Sequence, residues 1–240
     1  MSESRPVPAR ILVITAHPDD VDFGAAGSVA AWTSAGACVT YCVVTDGDAG
    51  GFDPAVPRDR IPAIRRAEQT VAAAVAGVED LVFLGYPDGR VQATLDLRRD
   101  LARVIRQVRP GRVLCPSPER IWERVFASHP DHLAVGEAAL CAVYPDARNP
   151  FAFPELLAEG LEAHTVEEVW VMASPRADTY VDVTATIDKK LAALRAHVSQ
   201  RTDADGGLEP RIREWLAANA ARAGWAAGSL AEAFHVVPTQ

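Results

Sequence analysis

Short apolar, β-branched runs alternate along the chain with longer stretches in which apolar residues recur at helical spacing. The short runs predict strands, and the longer stretches predict helices. The predicted strands cover residues 11–16, 38–45, 81–84, 113–115, 169–173 and 180–183. The predicted helices cover residues 24–35, 61–76, 95–108, 129–143, 187–199 and 210–223. Such alternation predicts an α/β fold whose mostly parallel sheet is covered by helices on both faces.

No segment between these elements is typical of a domain linker, and the sequence has no internal repeat. Residues 47–60 and 203–209 are rich in turn-forming residues, which favours loops with some mobility. A length of 240 residues fits one α/β domain. We therefore expect residues 1–240 to form a single domain, with a flexible N-terminal tail over residues 1–9.

The charge and composition narrow the classes of partner. A formal net charge of −8 argues against a nucleic-acid partner, because phosphate binding needs clustered Lys and Arg. No segment is apolar over the length of a signal peptide or a membrane span, so we expect a cytoplasmic protein without a membrane partner. The four cysteines are predicted to be reduced core thiols, since they form no Cys-x-x-Cys pair: Cys38, Cys42, Cys115 and Cys141.

The first chemically distinctive segment directly follows the first predicted strand. In an open α/β sheet, ligands bind beyond the carboxyl ends of the strands. His17, Pro18, Asp19 and Asp20 occupy that position here. A turn at this point lets His17 and Asp20 point at one centre, with Asp19 beside it. Imidazole and carboxylate are suitable ligands for zinc.

A second histidine-rich segment, Ser128-His129-Pro130-Asp131-His132, stands where a helix is predicted to begin. Ser128 is a good N-cap, and Pro130 is tolerated in the first turn. His129 and His132 then lie on the same face of the helix. Because a catalytic zinc site has three protein ligands and one open position for water, this segment is expected to supply the third ligand.

The two segments together resemble the LmbE-like, or PIG-L, N-acetylglucosaminyl deacetylases, a family that includes the deacetylases of mycothiol and bacillithiol biosynthesis. Further segments are similar to landmarks of that family and follow in order over most of the chain. They are Val44-Thr45-Asp46-Gly47-Asp48 with Gly50, Arg65 with Glu68, Phe83-Leu84-Gly85 followed by Asp88, and Lys190 with His197 and Gln200.

The resemblance implies a Rossmann-like sheet and a zinc ion bound by His17, Asp20 and His132. It also implies that Asp19 is the general base and that His129 stabilises the oxyanion or protonates the leaving amine. Chemistry agrees with these roles, because zinc lowers the pKa of bound water toward 7 and a neighbouring carboxylate can accept its proton. Ferrous iron accepts the same ligands, so the metal stays open between the two.

The expected reaction is removal of the N-acetyl group from a small N-acetylglucosamine-type sugar or glycoconjugate, with release of acetate. The resemblance suggests that Arg65 reaches the substrate, and Asp88 suits the binding of sugar hydroxyls. His197 is a further candidate for the site. The family usually has Glu directly after the two aspartates, where this chain has Val21, and this departure leaves the choice of substrate open.

Three alternatives remain open from the sequence. One is a zinc amidase of the same family that acts on a larger amide, such as a mycothiol conjugate. Another is a family member that binds metal without turnover. A Rossmann nucleotide-binding protein is disfavoured, because no G-x-G-x-x-G follows the first strand and the carboxylates there would repel a pyrophosphate. The oligomeric state stays open, a homo-oligomer included.

Overall fold

A computed structural model describes residues 6–51, 53–200 and 207–240 of the chain. The strands are β1 (Arg10–Thr15), β2 (Cys38–Thr45), β3 (Asp80–Tyr86), β4 (Arg112–Pro116), β5 (Glu168–Met172), β6 (Thr179–Asp182) and β7 (Ala231–Pro238). The helices are α1 (Asp20–Gly24), α2 (Ala26–Ser34), α3 (Ile61–Val75), α4 (Leu95–Val108), α5 (Pro130–Cys141), α6 (Pro154–Ala158), α7 (Ile187–Ala196) and α8 (Leu208–Arg222). Residues 1–5 of the expected tail and 203–206 of the expected loop lie outside the described residues.

The seven strands form one sheet in the order β3-β2-β1-β4-β5-β7-β6. The first five of these run parallel, and β7 pairs antiparallel with both β5 and β6. The predicted mostly parallel α/β sheet is therefore confirmed. The sequence pattern missed β7, because the polar Glu232 interrupts its apolar run; Glu232 is fully buried there and pairs with Lys190.

Alternate residues of β1 enter two separate cores, as expected for a strand buried on both faces. Leu12 and Ile14 pack in a cluster with residues of α4 and α5. Ile11 and Val13 pack on the opposite face, in a cluster that includes residues of α2 and α3. Helices therefore cover both faces of the sheet, which confirms that part of the prediction.

Parallel pairing places the carboxyl ends of five strands at one edge of the sheet, and four of these ends lead into segments considered for the site. β1 ends at Thr15, β2 at Thr45, β3 at Tyr86 and β4 at Pro116. The segments that follow these ends include residues 16–19, 46–60, 87–94 and 117–129. This edge is where an open α/β sheet binds its ligands.

Some local expectations need correction. The helix expected at 24–35 begins earlier, because α1 starts at Asp20 directly after the turn and α2 follows from Ala26. Cys42 and Cys115 are buried thiols, whereas Cys38 is exposed at the start of β2 and Cys141 is half-buried. No helix in the described part of the chain has the length and apolar character needed to cross a membrane.

Candidate active site

The turn after β1 is closed by the side chain of Asp20. Its Oδ2 accepts hydrogen bonds from the backbone N–H groups of Ala16, at 3.0 Å, and His17, at 2.8 Å. Its Oδ1 faces Nε2 of His132 at 3.0 Å. One carboxylate therefore fixes the end of the strand and also presents an oxygen to a histidine of the second segment.

The second segment begins helix α5 with His129 as its N-cap. Nδ1 of His129 accepts a hydrogen bond from the backbone N–H of Asp131 at 3.2 Å. The expectation that Ser128 caps this helix is wrong, because its Oγ accepts from the backbone N–H of Ile121 instead. Pro130 fills the first helical position, where a missing N–H has no consequence.

Donor atoms from both segments converge on one point at the edge of the sheet. Nδ1 of His17 lies 3.2 Å from Nε2 of His132 and 3.6 Å from Oδ2 of Asp20. Tetrahedral zinc with bonds near 2.0 Å requires ligand atoms about 3.3 Å apart. The spacing and the donor types of His17, Asp20 and His132 therefore fit a zinc ion.

The other ring nitrogen of His17 faces two further carboxylates. Nε2 of His17 lies 3.0 Å from Oδ1 of Asp88 and 3.2 Å from Oδ2 of Asp131. A carboxylate cannot donate, so this nitrogen carries a proton, and Nδ1 would offer its lone pair to a metal once its own proton is displaced. Burial lowers the pKa of His17, but Asp20 and Asp88 raise it to about 11 overall. This excess of negative charge favours a bound cation.

Two further groups of side chains among the described residues could also hold a metal ion, and both include His17. One is His17 with His129 and His132, and the other is His17 with Asp88 and Asp131. The protein therefore has a candidate His/Asp metal-binding group at the carboxyl edge of its sheet. In the second group both carboxylates already accept backbone hydrogen bonds, from Ala49 to Asp88 and from Gly89 and Val91 to Asp131. Those two carboxylates are better placed to orient His17 than to bind an ion themselves.

Asp19 lies beside this centre and is held by Arg65. Nη2 of Arg65 donates to Oδ2 of Asp19 at 3.0 Å and to the carbonyl oxygen of Pro18 at 2.5 Å. We find no partner for Oδ1 of Asp19 in the part of the chain that the structure describes. Burial raises the pKa of Asp19 to about 7, the charge of Asp20 adds to this shift, and Arg65 opposes it.

His129 keeps a neutral ring next to the same centre. Its ring centroid lies 4.8 Å from that of His17 and 5.4 Å from that of His132. Partial burial lowers its pKa, and the positive charge of His17 adds to this effect. Because Nδ1 of His129 accepts the N–H of Asp131, the neutral ring carries its proton on Nε2.

Arg65 and Asp88, which the sequence suggests for substrate binding, are both buried beside the centre. Arg65 is buried, and its guanidinium contacts Pro18, Asp19 and the carbonyl oxygen of Gly47. Asp88 is also buried, and its two oxygens face His17 and the N–H of Ala49. The two terminal nitrogens of Arg65 and both carboxylate oxygens of Asp88 therefore already contact protein groups around the centre.

The remaining histidines separate into buried and peripheral ones. His197 is buried, and its Nε2 lies 2.8 Å from Oδ2 of Asp22 rather than in the metal centre. His164 bonds the carbonyl oxygen of Pro110, and His235 pairs with Asp178. Neither contact involves a residue of the candidate metal centre.

Sequence reasoning did not single out two buried side chains that support the site, Asp131 and Gln69. The signal for Asp131 was its position between the two histidines of the second segment. The signal for Gln69 was helical spacing, because Gln69 lies one turn after Arg65 on the same buried face of α3. Oε1 of Gln69 accepts the backbone N–H of Asp19 at 2.7 Å.

A cavity of about 550 Å³ opens at the same edge of the sheet. Its lining includes Asp48, Ile64 and Gln200. Asp48 connects the cavity to the centre, because its Oδ1 accepts the backbone N–H of Asp88, whose side chain contacts His17. The cavity therefore adjoins the residues that surround the candidate metal site.

Comparison with known proteins places the chain in a family. The family model for GlcNAc-PI de-N-acetylase, PIG-L, matches residues 12–143. The diacetylchitobiose deacetylase of Thermococcus kodakarensis is 32% identical over 191 residues, which cover 80% of this chain and 70% of that protein. The 1D-myo-inositol 2-acetamido-2-deoxy-alpha-D-glucopyranoside deacetylase of Rhodococcus erythropolis is 29% identical and covers 83% of this chain and 84% of that protein.

A solved structure supports the same relationship. The N,N'-diacetylchitobiose deacetylase from Pyrococcus horikoshii, complexed with its inhibitor MPG, aligns with a TM-score of 0.88 at 28% sequence identity. The alignment covers 96% of this chain and 84% of that chain. The chain therefore belongs to the PIG-L family of N-acetylglucosaminyl deacetylases, which are hydrolases that act on amide bonds.

Proposed function

We propose that the protein is a zinc-dependent hydrolase that releases acetate from the N-acetyl group of a small N-acetylglucosamine-type glycoconjugate. The observation that carries this proposal is that Nε2 of His132 lies 3.2 Å from Nδ1 of His17 and 3.0 Å from Oδ1 of Asp20, with the carboxylate of Asp19 beside them. A bound zinc ion supplies Lewis acidity, which polarises an amide carbonyl and makes water a better nucleophile.

Asp19 acts as the general base in this proposal. Its Oδ1 accepts a proton from the attacking water, while Arg65 holds Oδ2 in place. The same carboxyl group then returns the proton to the leaving amine nitrogen as the C–N bond breaks. A pKa near neutral pH suits a group that must accept a proton and then donate it.

His129 stabilises the oxyanion in this proposal. Its Nδ1 is used by the backbone of Asp131, so the neutral ring has Nε2–H to donate. A second proton on the ring would remove the acceptor that caps helix α5. This arrangement favours the oxyanion role over protonation of the amine, because it uses the hydrogen that the neutral ring already carries.

The substrate class follows from the relatives and from the cavity. The named relatives act on diacetylchitobiose and on an N-acetylglucosaminyl inositol, each an N-acetylated sugar joined to a second polar ring. The cavity lined by Asp48, Ile64 and Gln200 offers room for such a second ring beside the centre. Its mixture of polar and apolar walls suits a sugar or cyclitol, which has hydroxyl edges and apolar faces.

The test is an acetate-release assay with zinc-loaded protein. Substrates are N,N'-diacetylchitobiose, the N-acetylglucosaminyl inositol, free N-acetylglucosamine and an N-acetyl amino acid as control. We expect the two conjugates to be cleaved fastest and Asp19→Asn to keep its zinc while losing on the order of 100-fold in kcat. Faster cleavage of the amino acid, or of larger thiol-conjugate amides, would refute the substrate assignment. Stoichiometric zinc without turnover would make the protein a non-catalytic member.

A further inference from the structure

The residue that bears the proposed base has a strained backbone. Asp19 has φ 97° and ψ −26°, in the left-handed region, immediately before helix α1. A non-glycine residue is uncommon there and stays there only when its surroundings hold it. The side chain of Asp19 is aimed from this backbone, so a relaxation of φ would move its carboxylate away from the centre.

A chain of buried hydrogen bonds reaches the backbone N–H of Asp19. Oε1 of Gln69 accepts that N–H at 2.7 Å, and Nε2 of Gln69 donates to Oδ2 of Asp22 at 3.0 Å. Oδ2 of Asp22 also accepts from Nε2 of His197 at 2.8 Å. Gln69 and Asp22 are fully buried, and His197 is 2% exposed.

The chemistry of these groups fixes the direction of every bond. A carboxylate only accepts hydrogen bonds, so Asp22 requires the NH₂ end of the Gln69 amide to face it. The carbonyl end of Gln69 must then face Asp19, whose N–H needs an acceptor. Asp22 thus determines the orientation of the Gln69 amide. Nε2 of His197 donates to the same Oδ2 of Asp22 and helps to hold that carboxylate in place.

We propose that Gln69, oriented by Asp22 and His197, is a positioning residue that holds the backbone of Asp19 in its left-handed conformation and thereby aims the base at the substrate. This inference takes the role of Asp19 as general base from the proposed function. The three residues come from α3, α1 and the turn after α7, so the base depends on how these elements pack together.

A purely structural role for the same network predicts something different. Gln69 would then connect α3 to α1, and its loss would lower stability and the fraction of folded protein without changing kcat per zinc-loaded site. The buried Asn219 provides a matched control, because its Nδ2 bonds the carbonyl oxygen of Ala231 far along the chain from the centre. Asn219→Leu should lower stability and leave kcat per zinc unchanged.

The first experiment compares Gln69→Leu with Asn219→Leu in the zinc-loaded protein. For Gln69→Leu we expect kcat per bound zinc to fall tenfold to about 100-fold, because small displacements of a catalytic group have effects of that order. KM should stay within about twofold and zinc content should stay at the wild-type value. An unchanged kcat per zinc would overturn the proposal.

A double exchange tests the direction of the bonds even if Gln69→Leu folds poorly. In the wild type, Nε2 of Gln69 donates to Oδ2 of Asp22 at 3.0 Å. Gln69→Glu alone replaces that donor with a second carboxylate, so two acceptors face each other. Adding Asp22→Asn restores a donor and an acceptor at the same positions, with no change in total charge. Partial recovery of kcat in the double variant is expected, and a loss of kcat that is simply the product of both single losses would refute the orientation argument.

A crystal structure of zinc-loaded Gln69→Leu separates this proposal from the proposed function. We expect φ of Asp19 to leave the left-handed region; retention of φ near 97° would overturn the proposal whatever the activity. If the wild-type protein releases no acetate from any sugar offered, the proposed function fails, and φ of Asp19 in the variant still decides whether Gln69 positions that residue.

Discussion

The carboxylate of Asp131 holds both a proposed metal ligand and the loop beside it, so its removal has two separable effects. Asp131 is fully buried. Its oxygens accept from the backbone N–H groups of Gly89, at 2.7 Å, and Val91, at 3.2 Å, and lie 3.2 Å from Nε2 of His17. Asp131→Ala removes all three contacts at once.

The structure gives a magnitude for each effect. A buried backbone donor that loses its acceptor costs about 1–3 kcal/mol, so we expect the buried N–H of Val91 to cost that much unfolding free energy. Gly89 is exposed, and its N–H can bond water instead. Loss of a carboxylate behind a ligating histidine lowers metal affinity about 10-fold to 100-fold. Because Asp88 still faces the same nitrogen of His17, we expect the lower end of that range, about tenfold.

Two measurements check this prediction. Competition with a chromogenic chelator gives the zinc affinity, and urea unfolding of the metal-free protein gives the stability. Asp146→Ala is the matched control, since Asp146 is also buried but pairs with Arg98 outside the site. That control should lose stability and keep its zinc affinity. Equal zinc affinity in Asp131→Ala and the wild type would refute the role of Asp131 in holding His17.

Three further predictions follow from local features. Chelation should abolish acetate release and lower the midpoint of thermal unfolding, and zinc should restore both, because an ion that binds only the folded chain stabilises it. Gly47→Ala should lower kcat at constant zinc content, since a Cβ there, at φ 63°, would overlap the guanidinium of Arg65; full activity would contradict that contact. Burial raises the pKa values of Cys42 and Cys115 to about 12, so both thiols stay protonated at pH 8. A thiol reagent should therefore label the exposed Cys38 first and all four cysteines only after unfolding, and rapid labelling of a buried thiol would count against the packing.

The proximity of His17, Asp20 and His132 could be predicted from sequence, because it depends mainly on local geometry, although the choice of these three as ligands came from the family resemblance. His17 and Asp20 lie within one turn, and the Asp20 carboxylate bonds the backbone of that same turn. His132 lies in the first turn of a helix that follows a parallel strand. Parallel strands end at one edge of the sheet, so two local patterns are enough to bring these residues together.

The supporting contacts could not be predicted, because they depend on packing between distant segments. Gln69 lies 50 residues after Asp19, and only the docking of α3 beside the turn brings them within 2.7 Å. Arg65 was placed at the site by resemblance, but its partner Asp19 and its burial depend on the same docking. The strand β7 was missed for a related reason, since the burial of Glu232 depends on Lys190 from another element.

Val21 shows how the fold changes the meaning of a sequence difference. The left-handed turn at Asp19 starts helix α1 at once, so residues 21 and 22 point in different directions. Val21 lies in the same apolar cluster as Ile11 and Val13, where burial of a carboxylate would be costly. Asp22 instead supplies a buried carboxylate to the residues that hold the turn. The departure at Val21 therefore leaves intact the carboxylate of Asp22 that supports the turn, and differences in substrate choice are better sought in the residues that line the cavity after β2.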